Sequence, residues 1–409
     1  MREMKDSGVE WIGEIPKDWN CMRLKFAFGN SNVGESVDKE LYSSDENGYI
    51  FYTAGANPVK TSYTEFPMWK YTTDNDILLA RNGTPYIYLP SKDAVYSDHI
   101  IRINIKDGYC RRFLRYCLQR SIESIIVDSV SIATWSISLW KEQKLPLPYY
   151  HEQKYLADYL DSKCSKIDEI IEKQQAIIKK LKEYKFSIIT EAVTKGINPD
   201  VELKDSTIDM CEQIPVHWGI SQNRYLFSLR DEKNYKPLEE VRLLSLYTDL
   251  GVFPHGEQEE RGNKAVKAEG YKVVYENDIV VNIILAWMGA IGRSAYDGVT
   301  SPAYDIYKPN ENVCSRYYHY LYRTKPFSAE CYKYGRGIMA MRWRTYSSEF
   351  KSIKVPVPPY IEQCQIADYL DSKCEMLDKT IADRNKAIDI LQEYKKSLIY
   401  EVVTGKKEV

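Results

Sequence analysis

Ala157-Asp158-Tyr159-Leu160-Asp161-Ser162-Lys163-Cys164 recurs letter for letter as Ala367-Asp368-Tyr369-Leu370-Asp371-Ser372-Lys373-Cys374, 210 residues further on. Around it, Glu152-Gln153 matches Glu362-Gln363, Glu183-Tyr184-Lys185 matches Glu393-Tyr394-Lys395, and Val193-Thr194 matches Val403-Thr404. Eight identical residues in a row mark an internal duplication. Alternate steps of four and three from Leu160 reach Cys164, Ile167, Ile171, Gln174, Ile178, Leu181, Lys185 and Ile188. The same steps from Leu370 reach Cys374, Leu377, Ile381, Arg384, Ile388, Leu391, Lys395 and Leu398. That period of 3.5 is a coiled-coil seam, and it imposes a left-handed supercoil on two packed helices. Two unrelated amphipathic helices on a globular core would explain neither the duplicated seam nor its matched polar interruptions. Each helix is expected to be opened by prolines, Pro146 and Pro148 in one copy and Pro356, Pro358 and Pro359 in the other. Each should end near a glycine, Gly196 or Gly405.

With 409 residues, the chain should hold two or more domains with separate cores. A net charge of −2 makes it no polycation, so nucleic-acid binding would need local patches or partners. Nine cysteines without a C-x-x-C pair, and five histidines, argue against a zinc module or a disulfide framework. Reduced thiols in a cytosol fit better. Met1-Arg2-Glu3-Met4-Lys5-Asp6 has no apolar run behind it, so no signal peptide is expected. Ile279 to Ile291 is interrupted by Asn282 and too short to span a bilayer. The expectation is a cytoplasmic protein with no membrane partner.

The duplication extends beyond the helices. Lys5-Asp6-Ser7, Ile15-Pro16 and Trp19 return as Lys204-Asp205-Ser206, Ile214-Pro215 and Trp218, an opening that reads as a packed plug for each globular half. Short β-like runs follow. Asp74 to Ala80 leads into Arg81-Asn82-Gly83-Thr84-Pro85, Glu276 to Val281 is its counterpart, and His99 to Ile103 alternates like another strand. Arg111 to Arg120 and Ser315 to Arg323 read as short helices, and Ile197 to Asp200 as a linker. The expected segments are 1–148, 149–196, 197–204, 205–358 and 359–409.

Catalytic motifs are missing: no P-loop, no G-x-G-x-x-G, no H-E-x-x-H and no nucleophile elbow. Val357-Pro358-Pro359-Tyr360 resembles the Asn/Asp-Pro-Pro-Tyr element of amino-methyltransferases, but valine cannot accept the hydrogen bond that element provides. Pro199-Asp200-x-Glu202-x-Lys204 spells a nuclease-like pattern, yet its carboxylates are crowded into one short linker. Asp161 and Asp371 read as solvated or paired.

Two variable mixed domains, each followed by a near-identical long helix, resemble the specificity subunit of type I restriction–modification systems. The resemblance covers essentially the whole chain. Its carriers are Asp6 to Pro16, the stretches Leu145-Pro146-Leu147-Pro148 and Val355-Pro356-Val357-Pro358-Pro359, the two Glu-Gln helix starts and the linker from Asn198 to Ser206. It implies an α+β fold: two mixed α/β target recognition domains separated by two long antiparallel coiled-coil helices, with an internal pseudo-twofold repeat. It implies a non-catalytic, sequence-specific DNA-binding subunit that reads a bipartite asymmetric target in double-stranded DNA. Its helices would hold two DNA adenine methyltransferase subunits and the restriction subunits. The chain itself would carry no cofactor and no metal; S-adenosylmethionine, ATP and magnesium would belong to the partners. Helices of this length make a rod of roughly 60 Å, so half-sites ~34 Å apart are within reach. The seam residues are Leu160, Ile167, Ile171, Ile178, Leu181, Ile188, Leu370, Leu377, Ile381, Ile388, Leu391 and Leu398.

The candidate DNA-binding residues lie in loops. Tyr334 to Thr345 contains Arg336, Gly337, Arg342 and Arg344, and from Tyr320 to Lys354 eight Lys/Arg stand against two Glu, a local net of +6. Arginine can read guanine edges bidentately, and glycine lets the backbone approach phosphate; a solvated loop with a packed Trp343 is the alternative. The corresponding loop of the first half, Ser129 to Ser136, offers Thr134 and Trp135 without arginines. Arg81, Asn82, Gly83 and Thr84 form the other candidate loop, with a plain turn as the alternative. Arg261, Asn263, Lys264 and Lys267 read more readily as surface loop. The competing reading of the whole chain is a coiled-coil scaffold with two protein-binding heads.

Overall fold

The computed structural model describes every residue except 1, 44–47, 129–133, 249, 257–267 and 338–342, together with the side chains at 43 and 124–128. The chain forms two compact units, Met1–Gln175 with Asn385–Val409, and Ala176–Arg384.

In the first unit, the hairpin Met4–Asp6/Glu14–Pro16 buries Ile15 and Trp19 completely or nearly so, as a plug should. Strand Asn20–Arg23 then pairs antiparallel with Lys144–Leu147, so the two ends of the globular head meet beside the first long helix. Between them lies an antiparallel sheet in the spatial order Phe28–Val33, Ile100–Ile105, Asp76–Ala80, Ile87–Tyr88. Helix Arg111–Asp128 packs over it and runs about two turns past Arg120. The second unit repeats this order. Its hairpin is Leu203–Ile208/Cys211–Pro215, its closing ribbon Gly219–Gln222/Lys354–Val357, and its sheet Phe227–Arg230, Tyr304–Pro309, Ile279–Asn282, Ile291–Arg293. Helix Ser315–Tyr322 takes the place of Arg111–Asp128, followed by a separate helix, Lys325–Tyr334.

The long helices are Tyr150–Lys195 and Tyr360–Val403. Pro146 and Pro356, expected to open them, instead sit in the closing ribbons opposite Cys21 and Ile220. A proline can occupy an edge position there because no ladder donor is required of it. Gly196 and Gly405 end the helices at φ +80° and +71°, the left-handed geometry that favours glycine at a helix end. Gly405 is also crowded, since a Cβ there would lie 2.5 Å from the Pro16 ring.

Burial follows the seam, with the residues at its steps buried or half-buried and those between them mostly exposed. The polar interruptions are partnered: Lys395 Nζ reaches Asp168 at 2.6 Å within the first unit, and Lys185 Nζ reaches Asp378 at 2.6 Å within the second. Within the first unit, Glu152 accepts from the Trp19 indole, which lies against Gly405, while Asp168 meets Lys395. The two helix segments therefore run antiparallel. In the second unit, Gly196 lies beside Glu362 and Lys185 beside Asp378, with the same sense.

The identical octapeptide has a docking role. Arg112 pairs with Asp158 and Asp161, both at 2.7 Å, and the Tyr116 hydroxyl donates to Asp161 at 2.7 Å. In the second unit Arg316 pairs with Asp368 and Asp371 at 2.7 and 2.8 Å, and Tyr320 donates to Asp371 at 2.6 Å. Burial first, and then the Asp161 or Asp371 carboxylate, hold both phenols above their ordinary pKa, so they stay donors. Thus Asp161 and Asp371 are paired, and they fix each head helix on its long helix.

Candidate nucleic-acid interface

The same two segments come together at the same place on each sheet. In the first unit, the hairpin joining Asp76–Ala80 to Ile87–Tyr88 carries residues 81–86. Its Arg81 carbonyl accepts from Trp135 N at 2.6 Å, and Asn82 bridges antiparallel to Thr134. Ser136 then caps helix Ile137–Lys141 by accepting from Leu139 N at 3.2 Å. Gly83, Thr84 and Thr134 are exposed on this surface. Trp135 is not: it is 2% exposed, packs against Trp140, and donates its indole N–H to the Gly83 carbonyl at 3.2 Å. A ring so enclosed cannot reach a ligand; it anchors the hairpin. Arg81 donates to the Asp98 carbonyl at 3.1 Å, and the Asn82 amide meets His99 Nδ1 at 2.9 Å. His99 is thus an exposed member of the cluster that sequence reading missed, because it lies 17 residues from Asn82 and is brought beside it only by the pairing of Ile100–Ile105 with Asp76–Ala80.

The buried carboxylate under each hairpin also has a signal in sequence, the repeated acidic-Asn-Asp turn. Asp76 accepts from Thr73 N, and Asp278 accepts from Tyr275 N and from Arg230 Nε at 2.8 Å. Burial raises the Asp278 carboxyl above the usual range, and the Arg230 guanidinium opposes that shift.

In the second unit, the hairpin between Ile279–Asn282 and Ile291–Arg293 accepts Thr345 N on the Ile283 carbonyl at 2.9 Å, the counterpart of the Arg81–Trp135 bond. Arg336 and Arg344 form an antiparallel bridge, with N–H to carbonyl distances of 3.0 and 3.1 Å. The Arg336 guanidinium pairs with Glu349 at 2.9 Å and lies over Tyr346, yet stays largely exposed. Gly337 is exposed beside it. Trp343 is packed, as the bland alternative had it: it stacks on Tyr332 at 4.9 Å and donates to the Tyr332 carbonyl at 3.0 Å. Gly335 makes room, since a Cβ there would meet the Trp343 ring at 2.5 Å. Arg342, and Arg261, Asn263, Lys264 and Lys267, lie outside the described residues. Among the described residues no cluster could hold a metal ion, and no helix is long and apolar enough to cross a membrane.

A sequence profile for the type I restriction modification DNA specificity domain matches residues 16–191. Over 97% of its length the chain is 25% identical to the MjaX type I restriction enzyme specificity subunit of Methanocaldococcus jannaschii, covering 96% of that protein. It is 23% identical to the MjaVIII specificity subunit of the same organism, over 97% of this chain and 94% of that one. A solved chain from work on complex assembly and conformational transition of the type I R-M system superposes with a TM-score of 0.68 at 12% identity. It covers 96% of this chain and 99% of its own. At that identity the likeness is one of fold.

Proposed function

We propose that the chain is a specificity subunit of a type I restriction–modification system, and that each head reads one half of a bipartite, asymmetric target in double-stranded DNA; the match to the DNA specificity domain and the full-length likeness to two specificity subunits support this reading. In this reading the chain has no catalytic step of its own. The long helices dock adenine methyltransferase and restriction subunits, which bring the reactive groups and cofactors. The observation that carries it is the matched pair of loops: one frame, built twice, presents Arg81-Asn82-Gly83-Thr84 with Thr134 in one head and Arg336, Gly337 and Arg344 in the other. Dissimilar side chains in the same frame suit dissimilar half-sites. Arginines can hold phosphates or take guanine O6 and N7, and Asn82 can read an adenine edge. Arg342 belongs to the same basic segment and takes a share in this proposal. Trp135 serves as an anchor. The segments 1–148, 205–358 and the two long helices would then be recognition and docking parts respectively.

The test is to express the full chain with a type I adenine methyltransferase from the same source and to sequence the methylated genome. One interrupted, non-palindromic sequence methylated only when the chain is present is the expected outcome. Methylation that ignores the chain, or an uninterrupted palindrome, overturns the reading.

A further inference from the structure

The hairpin of the second head holds two exposed apolar side chains in a stiff frame. Leu285 is 37% and Met288 53% exposed, whereas their neighbour Ala286 is buried. The turn between them is fixed by backbone bonds: Met288 N and Ala290 N both donate to the Leu285 carbonyl, at 2.9 and 3.1 Å. The buried Asn282 carboxamide accepts from Ile284 N at 3.0 Å and Leu285 N at 3.3 Å. Gly289 supplies the left-handed φ of +86° that closes the turn. Trp287 donates to the Ile284 carbonyl at 3.0 Å and its ring packs on Tyr332, which stacks on Trp343. Trp343 precedes Arg344, so the apolar pair is tied to the basic segment by a ladder of three rings.

Exposed apolar side chains held rigidly next to arginines have no use against phosphate. Along base edges in the major groove, the apolar group on offer is the C5-methyl of thymine. The equivalent hairpin in the first head is polar, Arg81-Asn82-Gly83-Thr84 with His99 on Asn82. Resting on the DNA-reading function above, we propose that the second head recognises its half-site by packing Leu285 and Met288 on thymine methyl groups, while the first head reads by hydrogen bonds. The basic segment favours this occupant over an apolar protein surface, because phosphates flank every thymine and the bonded segment beside the hairpin carries Arg336 and Arg344 to meet them.

The experiment uses the complex of the chain with its methyltransferase, titrated on duplexes carrying the methylated target. Each thymine of the second half-site is replaced singly by deoxyuridine, which removes one methyl and nothing else. At one or two positions affinity should fall about fourfold, the worth of one buried methyl. Replacements in the first half-site should leave it unchanged. Met288→Ala and Leu285→Ala, used only if their melting transitions match the parent, should bind thymine and deoxyuridine duplexes alike. Cognate preference that ignores deoxyuridine everywhere overturns the inference while leaving base reading intact. A second half-site without an A·T pair overturns it as well, and so do variants that lose affinity equally on both duplexes, which would point to a protein contact. Equal binding of cognate and scrambled duplexes would instead overturn the proposed function itself.

Discussion

Gln363 is buried to 1% exposure and makes two bonds of 2.9 Å: its Oε1 accepts from Cys314 N and its Nε2 donates to the Pro358 carbonyl. Gln153 does the same with Cys110 N and Pro148. One amide thereby satisfies a donor before a head helix and an acceptor before a long helix, both out of reach of water. Replacing it by alanine strands both, so Gln363→Ala should lower stability by about 2–4 kcal/mol. Urea unfolding of the variant against the parent checks this, and a loss below about 1 kcal/mol would contradict the account. The repeated Glu-Gln was visible in sequence; its role was not, because its partners lie about fifty residues upstream or behind a proline. The same holds for Asp158 and Asp161. Their identity in both copies was legible, but the Arg112 and Tyr116 they hold are in a helix that shares only scattered residues with its counterpart.

At the scale of the element, the period of 3.5 was enough to place both long helices and to tell their covered faces from the rest. What periodicity could not supply was the meaning of Lys185 and Lys395, which break the seam. Each lies opposite an aspartate that its own copy also contains, so the charges specify an antiparallel partner in one register. The pairs are partly exposed, so each is worth only a fraction of a kcal/mol up to about 1 kcal/mol. Lys185→Glu should cost about 1 kcal/mol through repulsion of Asp378, and the double exchange Lys185→Glu with Asp378→Lys should restore most of it. Thermal melts of the two single variants and the double variant give the coupling directly. Strictly additive losses would show that the pair sets no register. The loops were less legible for a related reason. Their residues are placed by backbone bonds such as Trp135 N to the Arg81 carbonyl, which leave no pattern in side-chain identity.

For the whole molecule, each unit is assembled from the beginning of one long helix and the end of the other, and an equivalent glutamate sits at each joint, with a different partner: Glu152 accepts from the Trp19 indole in one, and Glu362 meets His217 at 2.8 Å in the other. The glutamine and aspartate contacts that fix each head on its long helix are the same in both units, which makes the heads exchangeable. A chain rebuilt with residues 205–358 in the place of 1–148, and the reverse, should direct methylation to the same two half-sites in the opposite order. Sequencing the methylated genome reads this out, and a folded exchange variant that keeps the parental order would contradict it.

That same arrangement imposes a timetable on synthesis. The second unit is one continuous run, Ala176–Arg384, and all of it is synthesised before the helix turns that follow it. The first unit is not continuous. Leu398, Ile399, Val402 and Val403 close the core that Ile12, Ile15 and Trp19 began, so the segment translated first is finished last. Throughout elongation the earliest-made head waits with an open apolar flank, the kind of surface that misassembles when a partner is late.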